Sequence, residues 1–194
     1  KKMANKNAPF GLRPVGILGS GDNTQGTTEY KIASGASGNI FSGDLVKMAN
    51  TGTILVAAAG DQALGVFRGC KYTDSNGDVI YSAYWPNGTV TSDAVAFVVD
   101  DPNALFEVQS AATGSVVQTV VGNNADIVYS TGSTQTGVSA VKISGTTAAT
   151  SAQLRIVGFT GDPDNNALGT GTLSTNVNMI VKINEHFYAQ TTGV

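Results

Sequence analysis

What the chain lacks narrows it first. It holds one cysteine, Cys70, in 194 residues. No intrachain disulfide can form, so the fold does not depend on an oxidising compartment. Cys70 reads as a small buried strand residue. A reactive thiol would need a basic or imidazole neighbour, and only Arg68 at i−2 shares its strand face. There is also one histidine, His186. One His and one Cys are too few for a zinc site. The G-x-S-x-G elbow of a Ser-His-Asp hydrolase is absent, as are a phosphate-binding Walker loop and a dinucleotide fingerprint. We therefore assign no catalytic residue, cofactor or metal, and read the chain as not an enzyme. His186 becomes a strand-end residue or an inter-subunit contact. Chemistry on carboxylates alone, as in a glycosidase, stays open, but no acid pair stands out for it. Charge is scarce too: Asp, Glu, Lys and Arg make up 13% of the chain, with a net charge of −3. That is about half the usual charged share. No apolar run approaches the roughly 18 residues of a membrane span. No apolar stretch follows Lys1-Lys2, so neither a leader nor a membrane partner is expected.

What is abundant points to strands. Glycine occurs 24 times, and Ser, Thr, Val and Ala are frequent. Such a composition favours many short strands and tight turns. Apolar residues reach 41%, which separates the chain from disordered proteins. Its length suits one domain or two small ones.

The stretch from Gly43 to Gly69 organises the rest. Gly43-Asp44 opens a strand over Leu45–Ala49. Asn50-Thr51-Gly52 turns the chain, with Gly where a left-handed conformation is needed. A second strand follows over Thr53–Ala58, then a turn at Gly60-Asp61-Gln62. The third begins at Ala63–Phe67 and runs on through Gly69 towards Tyr72. A meander of this size cannot bury its apolar face alone.

Residues 1–21 contain Lys1, Lys2, Lys6 and Arg13 and no acid. Their prolines and glycines rule out a helix. They read as an extended basic arm with apolar side chains along it. It is either a frayed terminus or a segment that orders on a partner. The apolar content favours the second, with Phe10, Leu12, Arg13, Val15, Ile17 and Leu18 as the binding residues. Four charges without interleaved aromatics make a poor nucleic-acid footprint, so no nucleic acid is expected.

Thr27–Ala33 reads as a strand and Ser34–Asn39 as a loop. Asp74-Ser75-Asn76-Gly77-Asp78 is a hairpin turn between Gly69–Thr73 and Val79–Tyr84. A calcium loop would need Glu twelve positions on from Asp74, where Trp85 stands. Tyr81, Tyr84 and Trp85 form an aromatic group that serves as core, as subunit interface or as a sugar-stacking platform. Ala94–Val99 is apolar enough for a strand buried on both faces. Asp100-Asp101-Pro102-Asn103 is turn chemistry, and Leu105–Gln109 is another strand.

Ser115–Val121 is the one helix candidate. Val116, Val117, Val120 and Val121 share a helical face, though four valines suit a strand as well. Asp126–Ser130, Val138–Ile143 and Gln153–Phe159 follow as strands. Asp162, Asp164 and Asn166 alternate in a turn that lacks a nearby acid to complete a metal cage. A long strand over Asn176–Tyr188 closes the chain, with Met179, Val181 and Ile183 on one face. The fold class expected is mostly β. Two small barrel- or sandwich-like modules, over 22–95 and 96–194, would share sheets behind the 1–21 arm.

The phrase formed by Gly43-Asp44, the turn at Gly52 and Gly65-Val66-Phe67 is similar to the β-rich module of tailed-phage head decoration (cement) proteins. Met3–Gly16 (MANKNAPFGLRPVG), Phe97–Gln109 (FVVDDPNALFEVQ), Asn124–Gly137, Leu154–Phe159 (LRIVGF) and Val181–Ala189 (VKINEHFYA) resemble, in the same order, a family of capsid-associated proteins of short-tailed phages. The resemblance covers most of the chain. It implies a structural virion protein, made in the host cytoplasm, on the outer surface of the mature head. It also implies the major capsid protein as partner, bound across subunit junctions, and self-association as a homotrimer. A carbohydrate-binding module using Tyr81, Tyr84 and Trp85, or a tail or fibre component, is the alternative.

Overall fold

The computed structural model describes residues 5–19, 26–111, 116–148, 150–161, 175–189 and 191. They are mostly β. In chain order the strands are β1 (Arg13–Ile17), β2 (Thr28–Lys31), β3 (Ile40–Phe41), β4 (Leu45–Met48), β5 (Ile54–Val56), β6 (Gly65–Thr73), β7 (Val79–Ser82) and β8 (Tyr84–Trp85). There follow β9 (Val95–Val99), β10 (Ala104–Gln109), β11 (Asn124–Ala125), β12 (Ile127–Val128), β13 (Lys142–Ile143), β14 (Leu154–Phe159) and β15 (Asn178–Ile183). Two antiparallel sheets dominate. The first runs β2-β9-β6-β4-β5, with β7 against the far end of β6; the second runs β1-β10-β15-β14-β11. Pairs β3-β8 and β12-β13 flank them, and among the described residues no sheet closes into a barrel.

The central meander forms as its turns dictate. Ala49 N–H donates to Thr53 O at 2.8 Å and Gly52 N–H to Ala49 O at 2.9 Å, with Gly52 at φ +73°. Beyond Val56 the second strand stops short, because Ala58 N–H turns to the Asp61 carboxylate at 2.7 Å. The third is one strand over Gly65–Thr73, bulged between Phe67 and Gly69.

Two apolar clusters sit on either side of the first sheet. Val46, Phe67, Ala96 and Val98 point into one, with Ile40 and Trp85 above them. Leu45, Val66 and Val99 point into the other, which they share with Phe106, Leu154, Val181 and Ile183 of the second sheet. The meander is thus a middle layer, covered on both faces. Ala94–Val99 is buried on both faces only at its Val98–Val99 end; Val95 and Phe97 stay half-exposed.

Several expectations are corrected. β9 hydrogen-bonds to β6 and β2, so the strand placed at the start of the second module belongs to the first sheet. The crossing falls at Asp100–Asn103. The basic arm is not free: Arg13–Ile17 pairs with β10 through Arg13↔Glu107 to Ile17↔Ala104. Leu12 is fully buried in the shared cluster. No α-helix forms over Val116–Val121; there is a single 3-10 turn at Gln118–Val120, and Ser115 lies outside the described residues. Val138–Ile143 keeps only Lys142–Ile143 as strand. The last strand ends at Ile183, where the chain turns across to the first sheet. Among the described residues no helix is long and apolar enough to cross a membrane.

Candidate functional site

The Gly-Asp pair that opens the meander is a junction. Asp44 is fully buried. Its Oδ2 accepts Phe41 N–H at 2.8 Å and its Oδ1 accepts the Ser139 hydroxyl at 2.6 Å. Gly43 O accepts Leu12 N–H at 2.8 Å, and Ser139 N–H donates to Ser42 O at 2.9 Å. Three segments distant in sequence meet here. Glycine is required for the approach: a Cβ on Gly11 would lie 2.6 Å from Gly43 O and from Ser139 Cβ. Gly11 and Gly43 also hold φ of +72° and +98°, which other residues avoid. Burial pushes the Asp44 carboxyl up to about 6, against the downward pull of its two hydrogen bonds.

Gln153 makes a second buried stitch. Its Nε2 donates to Ala58 O at 2.7 Å and Asp61 O at 2.8 Å, while Oε1 accepts Ile127 N–H at 3.2 Å. The C-terminal segment makes a third. Ala63 N–H donates to Glu185 O at 2.9 Å and Phe187 N–H to Ala63 O at 2.7 Å. Phe187 packs on the first sheet's outer cluster. Beside it the Tyr30 hydroxyl donates to Asp100 Oδ2 at 2.5 Å and lies 2.8 Å from the Tyr188 hydroxyl. Burial and that carboxylate raise the Tyr30 phenol.

His186 belongs to this strap. It is fully buried, and its Nδ1 accepts Tyr188 N–H at 3.1 Å. Nε2 has no hydrogen bond of good geometry, though the Asp100 backbone and carboxylate face the ring. Burial holds its pKa below the ordinary value, more than the nearby Asp100 and Asp101 raise it. A neutral, enclosed imidazole is a packing element. Among the described residues no cluster of three or more His, Cys, Asp or Glu is placed to hold a metal. Asp162, Asp164 and Asn166 lie outside those residues.

The expected aromatic group is split. Trp85 is fully buried in the outer cluster, edge-on to Tyr72 with centroids 5.4 Å apart. Tyr84 stacks on Phe41 at 5.6 Å. Tyr81 is 70% exposed and lies flat on Phe97 at 6.5 Å, with Lys71 Nζ 5.9 Å from its ring. Trp85 therefore cannot stack on a sugar together with Tyr81. Cys70 is buried, as its sequence context predicts, and desolvation pushes its thiol up to about 12. Asp74 accepts the N–H groups of Asn76 and Asp78 at 2.9 and 3.0 Å, closing the hairpin turn between β6 and β7. The Asp78 and Asn76 N–H groups hold its pKa below the ordinary value.

The arm residues also divide. Leu12 is core. Arg13 pairs with buried Glu107 and sits 5.0 Å over the Phe10 ring. Ile17 is half-buried in β1, while Val15 and Leu18 are exposed.

Among the described residues, one edge of the first sheet stands open to a partner. β9 pairs with one side of β6, so β4 and β7 both lie on the other. That side ends in β5 and β7. Sheet edges are normally guarded by charge, proline or bulges. β2 has Glu29 and Lys31, and β1 has Arg13, Pro14 and a bulge. β5 and β7 hold neither charge nor proline, and they expose Leu55 (38%), Val79 (56%) and Tyr81. A groove of about 670 Å³ beside β5 is lined by Ala36–Phe41, Lys47, Leu55–Ala59, Tyr129 and Thr131. Its one cation, Lys47, is held by Asp61 at 2.8 Å. This edge was not singled out from the sequence, where Thr53–Ala58 showed only as a strand of small and β-branched residues. Comparison with protein-family models, curated proteins and solved structures finds no match for the chain.

Proposed function

We propose that the protein is a structural virion component, a capsid decoration (cement) protein on the outer surface of a phage head. The observation that carries this reading is the unguarded β5/β7 edge with the groove beside it, whose one cation is paired. Such an edge binds by adding a strand from a partner: backbone hydrogen bonds supply affinity and the groove selects side chains. The order of sequence phrases shared with capsid-associated proteins of short-tailed phages supports the head as the surface bound. The major capsid protein is then the partner, and self-association as a trimer follows from the same family resemblance. The mechanism is linkage. A protein that binds only the expanded shell stabilises it by RT ln(1 + [L]/Kd). Copies joined to one another gain further by avidity.

The test is sedimentation of mature, undecorated phage heads with the protein. Saturation at a fixed ratio per capsid subunit supports decoration. A tail or fibre role would instead place label away from the head on intact particles. The carbohydrate-binding reading now rests on Tyr81, the exposed aromatic of the three, and predicts that Tyr81→Ala abolishes glycan binding with the fold intact.

A further inference from the structure

The junction at Asp44 holds a buried carboxyl without a countercharge. Neither ion pair among the described residues includes it. The segments packed on it bring no charge: Phe10–Leu12, Phe41–Gly43 and Gly137–Val141 contain no titratable side chain, and Arg68, next to Phe67, is exposed. Tyr129 is the titratable group that senses the Asp44 charge, and burial followed by that charge raises its pKa, so it stays neutral. An ionised carboxylate here is costly despite its two hydrogen bonds.

The geometry admits a proton without breaking the junction. A hydroxyl can donate to a carboxylate or accept from a carboxylic acid. The 2.6 Å contact between Ser139 Oγ and Asp44 Oδ1 serves either way. The Ser139 oxygen already accepts Val141 N–H at 3.0 Å and has a second lone pair for an acid proton. Oδ2 keeps Phe41 N–H in both states. We propose that Asp44 is a proton-operated latch between the opening of β4 and the Ser139 segment: the junction forms in either state and is tighter with the proton on.

The sign follows from burial. The carboxyl titrates near 6 in the folded chain and at 3.8 ordinarily. Between those values the folded protein holds a proton that the unfolded chain has released. Stability therefore falls as pH rises through the window.

Asp44→Asn is the matched variant. Its Oδ1 can accept Phe41 N–H while its Nδ2 donates to Ser139 Oγ, as the protonated acid would. Urea unfolding, followed by the fluorescence of Trp85, is measured for both proteins at pH 5 and pH 7. From pH 5 to pH 7 the unfolding constant of wild type, divided by that of Asp44→Asn, should rise about tenfold. PH effects of other groups, His186 among them, are common to both proteins and cancel in this ratio. At pH 7 Asp44→Asn should be at least as stable as wild type. An unchanged ratio, or a variant that is less stable at pH 7 or unfolded, overturns the proposal. Carbon-13 NMR of the wild-type carboxyls checks it without a variant: Asp44 should titrate near pH 6, and a midpoint below about 4.5 overturns the latch.

Discussion

Leu12→Ala separates core from arm. Leu12 has no exposed surface, sits in the cluster shared by both sheets, and has its N–H tied to Gly43 O. The backbone on both sides is pinned, by Gly11 against Ser139 and by β1 against β10. The cavity left by the variant cannot collapse freely. Fully buried Leu→Ala changes cost about 2–5 kcal/mol, more where the site is rigid. A loss of about 3 kcal/mol lowers the melting temperature by roughly 6–12 °C in a chain of this length. Leu18→Ala, an exposed change six residues on, should stay within about 0.5 kcal/mol. Melting followed by Trp85 fluorescence reads both. Deleting residues 1–18 should be worse still, since it removes Leu12 and strips β1 from β10. Equal melting of Leu12→Ala and Leu18→Ala would refute the placement of Leu12 and restore the free arm.

Two further outcomes follow from the buried polar groups. Gln153→Leu leaves the buried Ile127 N–H without its acceptor and removes the bonds to the Ala58 and Asp61 carbonyls; at about 1–3 kcal/mol for the unsatisfied buried N–H, it should be clearly destabilising. Amide exchange at Ile127, whose N–H loses its acceptor, should quicken even where the fold survives. His186 has its pKa depressed in the folded state, so below 6.5 the unfolded chain binds the proton more readily and the His186 contribution to stability falls as pH falls, opposite in sign to that of Asp44. Between pH 6.5 and 5 the unfolding constant of wild type divided by that of His186→Gln should therefore rise as pH falls, measured by urea unfolding. A ratio that does not change would place the titration elsewhere.

Much of the fold was legible because turns and alternation are local. Gly52 and the Asp74–Asp78 turn fixed two hairpin bends. The alternation of Met179, Val181 and Ile183 marked the buried face of β15. Pairing between distant segments was not legible. Nothing local in Arg13–Ile17 says that it completes a sheet with β10. Nothing local in Ser139 says that it meets Asp44, or in Gln153 that it reaches across to Ala58 and Asp61. The valines of Val116–Val121 carry a helical period, yet β-branching weakens a helix, and Gly122 N–H bonds across to Ile156 O instead. The candidate site was hidden for a related reason. Tyr81 and Trp85 are close in sequence but belong to different surfaces. Leu55 and Val79 are far apart in sequence but lie on one side of β6.

The most direct test of the functional reading is co-sedimentation of wild type and a Leu55→Lys, Val79→Lys double variant with mature, undecorated phage heads. Both substitutions lie on exposed edge positions and should leave melting within about 1 kcal/mol of wild type. Wild type should bind saturably at a fixed ratio per capsid subunit, with little dependence on salt because the edge is uncharged. The variant should lose at least tenfold in affinity, since charge on an edge blocks strand addition. Equal binding by the two proteins would contradict the edge, and no binding by wild type would contradict decoration itself.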